Sequence, residues 1–137
     1  MTEELAFKLK MNSDFDRALE EVIDALKKEG FGVLTQIDVR ATLKEKLDVD
    51  FHPYVILGAC NPPLAHRALS SVADIGVMLP CNVTVEQGDG EVIVSLANPA
   101  AMLTAGSFGE SEELQAIAEE ARSRIQNVAA GLSKSSV

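Results

Sequence analysis

A chain of 137 residues has the length of one ordinary domain, and 47% hydrophobic with 24% charged residues is the balance of a folded globular protein. Collagen-like, disordered and coiled-coil architectures are thereby excluded as descriptions of the whole chain. Twelve Lys and Arg against twenty-one Asp and Glu leave a net charge of −9, which opposes attraction to nucleic acid or anionic lipid.

The start Met1-Thr2-Glu3-Glu4 is acidic and leads straight into an alternating segment, unlike the basic start and apolar run of a secretory signal. Leu5, Phe7, Leu9 and Met11 alternate with Ala6, Lys8 and Lys10, which predicts a strand with one buried face; its outward lysines suit an edge. Ser13 with Asp16 resembles a helix cap, and Phe15, Leu19, Val22, Ile23 and Leu26 then recur at helical spacing up to Lys28, with Gly30 as the stop. Phe31 to Ile37 reads as a second strand, and Ala41 to Leu47 as a short amphipathic helix opened by Asp38 or Thr42. The unbroken apolar run Tyr54 to Cys60 predicts a central strand buried on both faces, and it is far shorter than the ~20 residues of a membrane span. Asn61-Pro62 supplies an N-cap residue and a proline at the first helical position, so a helix is expected from Pro62 to Ser71, closed by a reversal around Asp74 and Gly76.

Val77 to Glu86 and Glu91 to Ala97 read as strands joined by the Gln87-Gly88-Asp89-Gly90 hairpin signal, with Pro80 arguing for an edge or a bulge. Ala100 to Thr104 suggests one helical turn before the Gly106–Gly109 loop. Ser111, Glu112 and Glu113 then open a last helix with a stripe of Leu114, Ile117, Ala121, Ile125 and Val128. The order β-α-β-α-β-α-β-β-α predicts an α/β (α+β) fold with a single mixed sheet covered by helices. One domain over residues 1–132 is expected, with a frayed tail from 133 to 137.

The blocks Glu29-Gly30-Phe31-Gly32-Val33-Leu34-Thr35, Tyr54-Val55-Ile56-Leu57-Gly58-Ala59-Cys60-Asn61-Pro62-Pro63-Leu64-Ala65, Leu79-Pro80-Cys81-Asn82-Val83 and Asn98-Pro99 together resemble the family called domain of unknown function 302, over roughly residues 5 to 130. The resemblance implies a small α/β domain of bacteria and archaea and carries no catalytic residues with it.

Chemistry concentrates at Cys60, Asn61 and Pro62, where a strand meets a helix N-terminus that can lower a thiol's pKa. Against a reactive thiolate, Pro62 and Pro63 have no backbone N–H, leaving only Leu64 and Ala65 as donors, one of them claimed by Asn61. The alternative is a small buried cysteine closing a strand. Cys81 is a second candidate, able to pair with Cys60 if their strands are neighbours, although there is no Cys-x-x-Cys. His66 and His52 complete a Cys2His2 composition for zinc, but the spacing is wrong for short ligand pairs, so no metal site is assigned, and His66 beside Arg67 reads as a solvated helix face. The carboxylates Asp14, Asp16, Glu20, Glu21 and Asp24 read as a solvent face, and Gly88-Asp89-Gly90 as a turn.

No nucleophilic triad, nucleotide fingerprint or cofactor motif is present, so the chain leans away from enzymes and no cofactor is expected. With one tyrosine and no tryptophan it also lacks a stacking platform for single-stranded nucleic acid. The reading is a non-catalytic cytoplasmic domain with free thiols that binds a small ligand or a partner, neither nucleic acid nor membrane. A homodimer is expected through Met102, Leu103 and Phe108, which cluster in a segment that reads as a surface loop. The alternative is a thiol-based redox or sulfur-handling protein using Cys60.

Overall fold

The structure, a computed structural model, describes residues 4–135; the acidic start up to Glu3 and the tail residues 136 and 137 lie outside the described residues. Five strands, β1 (Ala6–Met11), β2 (Gly32–Asp38), β3 (Tyr54–Cys60), β4 (Cys81–Gln87) and β5 (Val92–Ala97), form one sheet in the order β1-β5-β4-β3-β2. The helices are α1 (Phe15–Lys28), α2 (Val39–Leu47), α3 (Pro62–Ser71), the single turn α4 (Pro99–Met102) and α5 (Glu112–Ser135). The α/β class and the element order are as the sequence predicts.

Strand direction differs from the expectation of a mixed sheet, because all four pairings are antiparallel. The reason lies in the helical connections. After β2 the chain makes α2 and returns so that Asp38 faces Val55, and after β3 it makes α3 and a 3-10 turn (Ala73–Met78) and returns so that Ala59 faces Cys81. Each helix therefore closes an antiparallel pair, where a crossover to a parallel neighbour would have had to run the full length of the sheet.

The helices cover one face of the sheet. Val55, Leu57, Ala59, Val83, Val85, Val92, Val94 and Leu96 point into a core shared with Ala18, Val22 and Leu26 of α1 and Ile125, Val128 and Leu132 of α5. Their pleat partners Tyr54, Ile56, Thr84, Glu86, Ile93 and Ser95 are only half-buried. The apolar run of β3 is thus paired on both edges as expected, but Tyr54, Ile56 and Cys60 on its other face are only half-buried.

β4 is an inner strand, not the edge that Pro80 suggested: it starts at Cys81, and the Leu79–Pro80 peptide, which is cis, precedes the ladder and removes no donor from it. Asp14, one residue after the expected Ser13, caps α1 through a 2.8 Å bond from the Arg17 amide. A second core joins Leu64 and Ala68 of α3, Ile75, Leu103, and Leu114, Ile117, Ala118 and Ala121 of α5. The long helix α5 therefore belongs to both cores, its first half to the second and its last half to the first, and it continues through Ser133 to Ser135.

Candidate functional site at the end of β3

The seam between the two cores contains a pocket. Phe31 and Ala59 line it from the sheet side, and Leu64, Ala68, Leu103, Ile117 and Ala121 from the helical side. Ala65, Leu79 and Pro80 line it as well, and Cys60, Asn61 and Cys81 complete its wall, so the register that sets Ala59 against Cys81 brings both thiols to one cavity. It holds about 30 Å³ and opens to the surface, room for roughly one water-sized group.

The α3 N-terminus behind Cys60 is fully accounted for. The Leu64 amide donates to Asn61 Oδ1 at 3.4 Å and the Ala65 amide to the Asn61 carbonyl at 2.9 Å, while Pro62 and Pro63 have no N–H to offer. None of these α3 amides remains for a Cys60 thiolate. Asn61, 8% exposed, also donates from Nδ2 to the Glu29 carbonyl at 3.3 Å, which Arg124 of α5 reaches as well, tying the end of α1 to the start of α3.

Burial consequently governs both thiols. It raises the Cys60 pKa, and it pushes the Cys81 thiol up to about 11, with the Cys60 charge as the lesser cause. Burial thus acts against the helix-dipole activation that would make Cys60 a thiolate, and favours neutral thiols at pH 7.

The remaining candidates lie elsewhere. Pro62 opens α3 but is exposed and does not line the pocket, and His66 is exposed on the same helix. His52 pairs with Glu86 at 2.9 Å on the surface and stacks on Phe51. Among the described residues no three His, Cys, Asp or Glu side chains gather as a metal ion would require. The segment that suggested a dimer is folded inward: Leu103 is 3% exposed in the second core and Phe108 packs against it.

Sequence reasoning missed that Asn98 repeats the role of Asn61. It is 2% exposed, accepts from the Ala100 amide at 3.0 Å ahead of Pro99, and donates to the Glu4 carbonyl at 2.8 Å. The shared Asn-Pro dipeptide is the signal that would have found it.

A one-sided antiparallel sheet under helices, with an apolar pocket and no acid–base constellation around it, defines a small two-layer α/β domain. The chain belongs to the family described as Domain of unknown function DUF302, whose pattern matches residues 7–132. It is similar to an uncharacterized conserved DUF302 protein from Bacillus stearothermophilus, known as a crystal structure, at 31% identity and a TM-score of 0.81, covering 96% of this chain and 98% of that one. Comparison with curated proteins gives no match. No described helix is long and apolar enough to cross a membrane.

Proposed function

We propose that this domain is a non-catalytic binding module whose ligand enters the pocket at the end of β3. The observation that carries the reading is the composition of the wall: apolar side chains, the Asn61 amide and two thiols whose pKa burial raises, without a charged group or an acid–base pair. At about 30 Å³ the pocket takes a methyl- or sulfur-sized tip, with the rest of the ligand held outside it. The net charge of −9 keeps nucleic acid outside this reading, and the two free thiols suit a reducing, cytoplasmic setting.

Xenon, a small apolar probe, tests it by NMR. It is expected to shift the methyl signals of Ala59, Leu64 and Ala68, and Ala65→Leu, which enlarges a lining side chain on α3, is expected to abolish those shifts. Unmoved pocket methyls, or shifts that survive the enlarged side chain, would count against the module.

One observation favours a second reading, a dithiol that closes to a disulfide: Cys60 and Cys81 share the cavity wall. Oxidised glutathione would take up the two electrons and two protons as the S–S bond forms, giving two molecules of glutathione. Intact mass after this treatment separates the readings. A loss of two hydrogens without an adduct supports the dithiol, and an unchanged mass or a stable mixed disulfide on Cys60 alone removes it.

A further inference from the structure

The two edges of the sheet are unequally protected. β1 turns the exposed Lys8 and Lys10 outward, the kind of charge that blocks edge-to-edge pairing. β2 carries no Lys, Arg or Pro; its one irregularity, a bulge at Leu34, leaves Thr35 to Asp38 in regular register with β3. Among the described residues no strand lies beside their outer backbone groups.

The absence of burial extends well beyond the strand. From Gly32 to Tyr54, through β2, α2 and the following loop, no residue is buried. Yet five of the eight large hydrophobic side chains exposed among the described residues fall there: Leu34 at 67%, Ile37 at 47%, and Leu47, Val49 and Phe51. A segment of this length matches the ~20–30 residues that one side of a standard interface contributes.

Charge selects the occupant. Residues 32–54 hold three basic and four acidic side chains, a net −1, whereas the whole chain carries −9. Two copies meeting through most of the surface would set like charge against like, while this segment offers mixed signs and apolar groups. An antiparallel strand edge is also self-complementary about a two-fold axis, the commonest symmetry of homo-oligomers.

We propose that β2 of a second copy pairs antiparallel with β2, joining the two sheets into one of ten strands, with the α2 segments flanking the seam. An axis normal to the sheet keeps its faces matched, so Ile37 lies opposite Ile37 or Thr35 of the second copy. This interface is independent of the pocket at the end of β3.

Sedimentation velocity on the full chain at tens of micromolar tests the pairing, with amide hydrogen exchange reporting on β2. The expected result is twice the chain mass and slowed exchange at Gln36 and Ile37. Ile37→Lys and, separately, Leu34→Lys are expected to restore the single-chain mass and fast exchange with unchanged far-UV circular dichroism, because both side chains are already exposed. A wild-type chain that stays monomeric at hundreds of micromolar overturns the proposal, as does a dimer that neither lysine disrupts.

Discussion

At the scale of single residues, a close approach between β3, β2 and Pro80 leaves little freedom for substitution. A Cβ on Gly58 would run into the Thr35 hydroxyl on β2 and stand 2.9 Å from the Pro80 ring, so Gly58→Ala is expected to cost about 1–3 kcal/mol in urea unfolding. Thr35→Ala in the same chain should recover part of that loss, since it removes the nearer of the two obstacles. Cys81 supplies a pH signature. The folded state favours its neutral thiol, so its contribution to stability is complete below the ~8.5 of an unfolded cysteine and is lost as pH climbs toward about 11. The loss amounts to about 3 kcal/mol. Unfolding midpoints measured from pH 8 upward should fall more steeply for the wild type than for Cys81→Ala; parallel curves would show that the thiol is not held neutral.

At the scale of elements, the junction of β3 with α3 was the most legible part of the sequence, because its signals are local. The Tyr54–Cys60 run and the Asn61-Pro62 cap place strand and helix at the observed residues. Asn61→Ala removes both the cap on Leu64 and the tie to Glu29, and is expected to lower unfolding stability by about 1–2 kcal/mol. A change within a few tenths of a kcal/mol would mean that the 3.4 Å cap is too long to matter. Val77 to Met78 was misread as strand because the apolar pattern of a 3-10 turn this short resembles that of a strand, and only the ladder, which begins at Cys81, separates them. Leu103 and Phe108 were misread as surface because what buries them, the first half of α5, is decided by tertiary packing that no local pattern records.

At the scale of the whole molecule, the class and element order were legible while the sheet's direction and its half-buried face were not. An apolar run is equally compatible with one covered face or two, and a helix between strands with a crossover or a return; long-range register decides both. That register also sets Ala59 against Cys81 and so brings to one pocket two cysteines whose approach the sequence left conditional on neighbouring strands. The pocket is uncharged and largely apolar, with its thiols raised by burial and the Leu64 and Ala65 amides of α3 already engaged. The rate of Cys60 alkylation by iodoacetamide in Cys81→Ser, followed from pH 6 to pH 10, tests this most directly. Slow reaction at pH 7 and an apparent pKa above the ~8.5 of a free cysteine are expected. A midpoint below ~7.5, the range of activated cysteines, would contradict this and return Cys60 to the role of a reactive thiolate.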